Sequence, residues 1–321
     1  MRLKLEFPIE RKPLVGSHDK IALLGSCFSE SMGKYFDAHL FDCCSNPFGI
    51  MYNPQSLAKN LRRVLELQLF HEQEFEQNKE VYHHWDLHSQ CTSENVQALV
   101  LQSNRTLTNI HERLKTGTNH LIITFGTSWV YVYQNEVVAN CHKYPSDDFE
   151  KLILETPGMI DNWESLLKEI KKFNSQIHVH CTISPVRHVR DGLIQNQHSK
   201  ARLIELVHAI EAQGLWTYFP SFEIVLDELR DHRFYQSDLL HPNEQAIEYI
   251  WNRFVDTRMS TPALEMINAW KPLLKASQHR SLLPGSKADL AFKQNTKSSI
   301  ENFGKKHQKN VDSFIQTLAL K

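Results

Sequence analysis

The chain alternates short apolar runs with longer segments of helical spacing, and that alternation leaves few folds open to it. Residues 21–24 are apolar and end at Gly25, and residues 29–40 then carry helical spacing. Residues 41–44 predict a second short strand, followed by the turn Asn46-Pro47-Phe48-Gly49. Pro54 opens an amphipathic helix with Leu57, Leu61, Val64, Leu65 and Leu69 on one face. A helix over residues 93–115, starting at Ser93, leads to a buried strand at 120–125 that Gly126 closes. The second half repeats the scheme. It reads as a helix at 157–173, a strand at 177–184 stopped by Pro185, and a helix at 199–213 ended by Gly214. A strand at 216–219 and a last core helix at 243–255, with Asn243 as its N-cap, complete it. Strands separated by helices predict an α/β fold of three layers, α/β/α, around a parallel sheet. With no internal repeat and no Gly/Ser linker, one domain over residues 1–256 is the simplest organisation. A basic, helical C-terminal extension over 257–321 follows it.

Composition narrows the function classes. With 41% hydrophobic and 23% charged residues in 321, the chain is expected to fold as a globular protein. No apolar run approaches the roughly 18 residues that cross a bilayer, and residues 1–13 are charged with no apolar core of signal-peptide type. The six cysteines sit mostly in apolar stretches, which predicts free thiols in a reducing compartment. The expected setting is cytoplasmic, with no membrane partner. Charge is uneven: from Lys271 onward ten Lys/Arg face three Asp/Glu, a surplus of +7 that leaves −8 on the rest. A body of that sign argues against nucleic acid as a partner. The tail could touch an anionic partner, but its simpler reading is a solvated helical appendage.

Chemistry-bearing residues collect just past the strand ends, where an α/β sheet presents its ligands. Gly25-Ser26-Cys27-Phe28-Ser29-Glu30 joins a strand to a helix through one glycine and two nucleophile-type residues. Free N–H groups at a helix start can lower a thiol's pKa or hold an oxyanion. The same turn also fits a purely structural corner with Ser26 capping the helix. Gly126-Thr127-Ser128-Trp129 forms a second small-residue corner. Arg187 and His188 end a further strand, where they can meet a substrate anion or pair within the loop. Asp238-Leu239-Leu240-His241-Pro242 spaces a carboxylate three residues from an imidazole, close enough to fix the ring tautomer and leave the other nitrogen as a base. No third ligand stands at metal spacing, so no metal is expected. No glycine-rich phosphate loop is present, so no nucleotide cofactor is expected either.

In this order, the three blocks resemble the layout of the SGNH (GDSL-like) hydrolases. More closely, the chain resembles the GSCFA family, whose naming motif reads Gly25-Ser26-Cys27-Phe28-Ser29 here. The segments 46–49, 88–89, 126–131, 140–143, 184–188, 199–200 and 238–242 also look like that family, and the resemblance spans roughly residues 21–255. It implies an SGNH-like fold and an esterase or other acyl hydrolase acting on carboxylic, including acetyl, esters or thioesters of small molecules or saccharides. The alternatives are an acyltransferase acting on a saccharide and a non-catalytic ligand-binding module. By the superfamily pattern the nucleophile position falls on Cys27 and the Asp of its Gly-Asp-Ser block on Ser26. Cys27 is therefore the nucleophile by register, with Ser26 as the one-residue alternative. Asp238 and His241 match the last block as orienter and base. Gly49 and Gly126 match the oxyanion-hole blocks, with Ser128 where the superfamily has an asparagine. His88, His142, Arg187 and His188 are the remaining substrate-binding candidates.

Overall fold

The computed structural model describes residues 5–319, so the first four residues of the charged start and the last two of the basic tail lie outside the described residues. Five strands form one parallel sheet: β1 (Lys20–Gly25), β2 (Asp42–Ser45), β3 (His120–Phe125), β4 (His178–Ile183) and β5 (Thr217–Tyr218). Their spatial order is β2-β1-β3-β4-β5. The order reverses between β1 and β3, and ligands of doubly wound sheets bind in the crevice that such a reversal opens at the carboxyl ends.

The strands alternate side chains between two apolar layers, which is why they read as near-continuous hydrophobic runs. Ala22, Leu121, Ile123, Phe125, Val179, Cys181 and Ile183 face one cluster. That side is covered by α2 (Pro54–Leu65), α3 (Val96–Glu112), α4 (Thr156–Phe173) and α5 (Leu193–Ala212). Ile21, Leu23 and Ile122 face the other cluster, beneath α1 (Cys27–Ala38) and α6 (Glu244–Arg258). This second face also buries polar side chains in register. His120 Nδ1 lies 3.0 Å from His180 Nε2, and Ser29 Oγ donates to Thr124 Oγ1 at 2.8 Å. Asp19 closes the histidine pair from the surface, 2.8 Å from His120 Nε2.

Local signals set most boundaries. Asn243 caps α6 by accepting from Ala246 N, and Pro54 stands at the start of α2 behind its Asn53 cap. Several boundaries differ from the sequence reading. Helix α1 runs from Cys27 to Ala38 rather than over 29–40, and α2 ends at Leu65, which leaves Leu69 outside it and exposed. Helix α3 is capped by Asn95 rather than Ser93, because Asn95 Oδ1 reaches the Ala98 amide. Helix α5 begins at Leu193, six residues ahead of the expected start, directly after Gly192 at φ 96°. The sequence reading also lacked the antiparallel additions. Strands Trp129–Tyr133, Glu136–Val138 and Glu150–Ile153 form one three-stranded sheet, and Glu76–Asn78 pairs with Val81–His83. They are three to five residues long, too short for a clear alternation to show.

The basic tail is not a solvated appendage. Helices α7 (Thr261–Gln278), α8 (Lys287–His307) and α9 (Asp312–Ala319) follow α6, and Ala263, Met266, Ile267, Trp270, Ile300 and Phe303 join the same cluster as Ile21 and Phe36. Trp270 is fully buried and its indole N–H donates to Ala38 O at 2.7 Å. Trp270→Ala is expected to cost about 3–5 kcal/mol, the range for deleting a large buried aromatic. A urea titration followed by circular dichroism checks this, and a midpoint equal to wild type would refute the packing role.

Candidate active site

The turn between β1 and α1 is shaped by backbone contact. Gly25 sits at φ +137°, and a Cβ there would lie 2.1 Å from Thr124 O. Glycine alone lets the two central strands approach this closely. Asn46, just after β2, locks the turn from the other side. Its Oδ1 accepts from Gly25 N at 2.8 Å, and its Nδ2 donates to Ser26 O at 3.4 Å.

Ser26 and Cys27 have different fates in this turn. Ser26 is fully buried and caps α1, its Oγ accepting from Phe28 N at 3.3 Å. Cys27 is the first helical residue and partly exposed. Its own N–H donates to no backbone carbonyl among the described residues, as expected of the first turn of a helix, and acts on its own sulfur. Burial pushes the Cys27 thiol up and Glu30 pushes it further, while the amides of Cys27 and Phe28 and the charge on Lys200 pull it back.

Asp238 and His241 form a finished pair. His241 Nδ1 lies 2.6 Å from Asp238 Oδ2, and the other carboxylate oxygen accepts from the amides of Leu240 and His241 at 2.9 and 3.0 Å. Those amides and the imidazole hold the Asp238 carboxyl down at about 2. The loop is fixed at its base by Gln236 N donating to His241 O and by Asn243 N donating to Phe234 O. Both side chains remain half-exposed. Among the described residues no hydrogen bond joins His241 to Cys27.

The other strand-end residues fall into three groups. Gly126 packs beneath Tyr52 and His188: a Cβ there would be 3.1 Å from His188 Nε2 and 3.1 Å from the Tyr52 ring. His188 meets the Tyr52 ring edge-on at 5.1 Å, and its Nε2 is shut off from solvent without a partner among the described residues. Burial, then the charges of Lys200 and His241, push it down to about 3. Tyr52 in turn senses Cys27 and Glu30, so Cys27, Tyr52, His188, Lys200 and His241 form one electrostatic neighbourhood. Gly49, at φ +81°, adjoins it and lets His88 close in, since a Cβ would meet His88 Cβ at 2.2 Å. His88 lies within the field of Glu30. Arg187 lines a cleft of about 330 Å³ with Arg230, His232 and Leu239, beside the His241 loop, and makes no ion pair among the described residues.

Other candidates are engaged elsewhere. Ser128 is fully buried; its amide donates to Ser199 Oγ at 2.7 Å and its hydroxyl to Ser199 O at 3.3 Å. The Gly49 amide donates to Asn46 O and the Gly126 amide to Tyr52 O. His142 belongs to the aromatic packing of the antiparallel additions. Its Nε2 bonds to His84 O at 3.0 Å and its ring lies 4.2 Å from that of His83. Among the described residues, no three His, Cys, Asp or Glu side chains gather into a set that could hold a metal ion.

Two residues of this neighbourhood, Tyr52 and Lys200, escaped the sequence reading as site residues. Lys200, on α5, is fully buried and donates to Gly126 O and Ser184 O, each at 2.7 Å. Its sequence signals are the 199–200 segment, which looks like the family, and a face of α5 shared with the buried Leu203 and Val207.

The fold and this edge define a doubly wound α/β protein whose thiol-bearing turn lies at the switch point of the sheet. The chain belongs to the GSCFA family, whose model matches residues 20–254. Among curated proteins, a search found no match.

Two predictions follow from this geometry. Gly25→Ala forces a side chain into a left-handed conformation, costing about 1–2 kcal/mol, and drives it into the Thr124 carbonyl. The variant is expected to unfold at clearly lower denaturant, and an unchanged midpoint would contradict the close approach. The second prediction concerns acid. His84, His142 and His188 are pushed down to about 4, 3 and 3, mainly by burial. Below about 6.5 the unfolded chain binds protons that the fold refuses, each pKa unit being worth about 1.4 kcal/mol. Stability is therefore expected to be full above about pH 6.5 and to fall down to about pH 3. Urea midpoints across that range test it, and a flat profile would refute it.

Proposed function

We propose that this protein is an SGNH-type acyl hydrolase in which Cys27 attacks carboxylic esters, acetyl esters included, or thioesters, with Asp238 and His241 as its orienter and base. The observation that carries the reading is the completed Asp238–His241 pair, with His241 in electrostatic reach of His188, and His188 of Lys200 beside Cys27. Between the two candidate nucleophiles, the cap on Phe28 N occupies the Ser26 hydroxyl in a fully buried position, which favours Cys27.

In this mechanism His241 Nε2 takes the proton from Cys27 Sγ while Asp238 holds the Nδ1–H. The thiolate adds to the carbonyl carbon, and the Cys27 amide donates to the developing oxyanion. Collapse expels the alcohol or thiol, which leaves with the proton from His241. A water then loses a proton to the same imidazole and attacks the acyl-enzyme, releasing the acid and restoring the thiol. An acceptor hydroxyl of a saccharide in place of that water gives acyl transfer instead. The six cysteines are all free thiols, which supports a cytosolic setting.

A non-catalytic binding module is the second reading, and one observation favours it. The amides of Gly49, Gly126 and Ser128 are spent inside the protein, leaving the Cys27 amide as the donor, and loss of one oxyanion donor costs roughly 10²–10³ in rate.

Iodoacetamide labelling near neutral pH with peptide mapping, alongside a fluorophosphonate arm, separates these readings. Cys27 is expected to label fast and Ser26 not at all. His241→Ala is expected to slow the labelling and to reduce ester or thioester turnover by about 10²–10⁴, the usual worth of a general base. Labelling of Cys27 at the same rate with and without His241 would sink the catalytic reading.

A further inference from the structure

Lysine rarely lies wholly inside a protein, and when it does its charge must be answered. Lys200 is 1% exposed, and among the described residues no carboxylate lies within salt-bridge distance of it. Two of its three N–H groups go to carbonyl oxygens, Gly126 O just after β3 and Ser184 O just after β4. The Phe222 ring covers it, 5.5 Å from Nζ to the ring centre. The charged groups that face it are Cys27 from α1, Glu223 after β5 and His188 after β4. The two carboxylate oxygens of Glu223 accept from the Tyr218 hydroxyl at 2.9 and 2.8 Å, and burial pushes its carboxyl up. His188 is held neutral. Cys27 and Glu223 are thus the neighbours whose ionisation answers the ammonium, and of the two only Cys27 belongs to the proposed site.

We infer that Lys200 is a positioning residue of the Cys27 site: its ammonium ties the carboxyl ends of β3 and β4 together through Gly126 and Ser184, and its charge draws the Cys27 thiol towards thiolate. The inference rests on the reading of Cys27 as nucleophile and extends it, because it names what holds the floor of the site and what opposes Glu30. Burial pushes the ammonium down to about 7, with Cys27 and Glu223 pulling it back up. The thiol and the amine therefore form a coupled pair. Losing one proton from it gives either a neutral amine beside a thiol or an ammonium beside a thiolate.

That coupling has a kinetic signature. With iodoacetamide as probe, Cys27 alkylation is followed by peptide mapping from pH 5 to 10 in the His241→Ala protein, so that the imidazole cannot supply the effect. The rate is expected to climb about tenfold per pH unit below about pH 7 and then to flatten, since above that point the pair has already lost its shared proton. A second rise follows at higher pH as the thiol ionises beside a neutral amine. Lys200→Met keeps the length of the side chain and removes the charge. It is expected to abolish the shoulder and to slow alkylation at pH 7 by about tenfold, one pKa unit of thiol acidity. Glu30→Gln is expected to speed it. A merely structural lysine would lower stability and leave the pH profile in place. The inference is overturned if folded Lys200→Met reproduces the shouldered profile of the His241→Ala protein. Should Lys200→Met not fold, a single unshouldered titration in the His241→Ala protein overturns it instead. The parent reading fails on a different result, equal labelling of Cys27 with and without His241, so the two failures are separable.

Discussion

The carboxyl edge of the sheet depends on how closely β1 and β3 approach at Gly25 and Thr124. In a parallel pair the register decides which residue faces which, and here Gly25 pairs with Thr124. The missing side chain lets the Thr124 carbonyl accept from Ser26 N at 3.2 Å, which turns the chain sharply into α1. Asn46 then satisfies the Gly25 amide that the turn would otherwise leave bare. A strand register, a glycine and one amide side chain thus aim Cys27 at the crevice where the winding of the sheet reverses. The same approach commits Ser26 to capping, because its hydroxyl is drawn beneath the helix start rather than out of it.

Around that turn the protein tolerates an unusual amount of buried polarity. One face of the sheet carries His120, His180, Thr124 and Thr182, and its carboxyl edge carries Lys200 and His188. Uncompensated groups of this kind are costly inside a protein. Most are answered locally: His120 by Asp19, Thr182 by Ser221 Oγ and the Phe219 carbonyl, Lys200 by two carbonyls. Two ring nitrogens are exceptions with no partner among the described residues: His180 Nδ1 on the sheet face, and His188 Nε2, which faces the Gly126–Tyr52 contact. Such exceptions concentrate where a ligand is to complete the set.

Much of this was legible in the sequence, for identifiable reasons. The alternation of strands and helices is carried by strong apolar runs and by punctuation at Gly25, Pro54, Gly126 and Asn243, so the three-layer fold could be read directly. The pairing of Asp238 with His241 was legible because it is local, three residues on one irregular turn. What stayed hidden depends on distant partners. The 199–200 segment could be matched to the family, but the place of Lys200 in the site stays hidden until Gly126 and Ser184, 74 and 16 residues away, are seen to accept from it. The tail looked solvated because its basic residues outnumber its acidic ones ten to three, while the stripe through Trp270, Ile300 and Phe303 spans two helices. The commitment of the Ser128 hydroxyl to Ser199 is likewise a contact across 71 residues. Short antiparallel strands such as Glu136–Val138 offer too few residues for a period of two to register.

The loop that carries His241 lies after the last strand of the sheet, while Cys27 lies after the first, more than two hundred residues earlier. At about 5–20 residues per second, a ribosome exposes the thiol for roughly 10–40 s before the imidazole has been made. Lys200 arrives in between, and it can be buried only once both β3 and β4 are in place. Whatever reactivity the thiol acquires from these two residues is therefore withheld from the nascent chain and conferred at the end of synthesis, when the sheet closes. Assembly of the site from the two ends of the fold acts as its own timer, and the incomplete chain carries an ordinary cysteine.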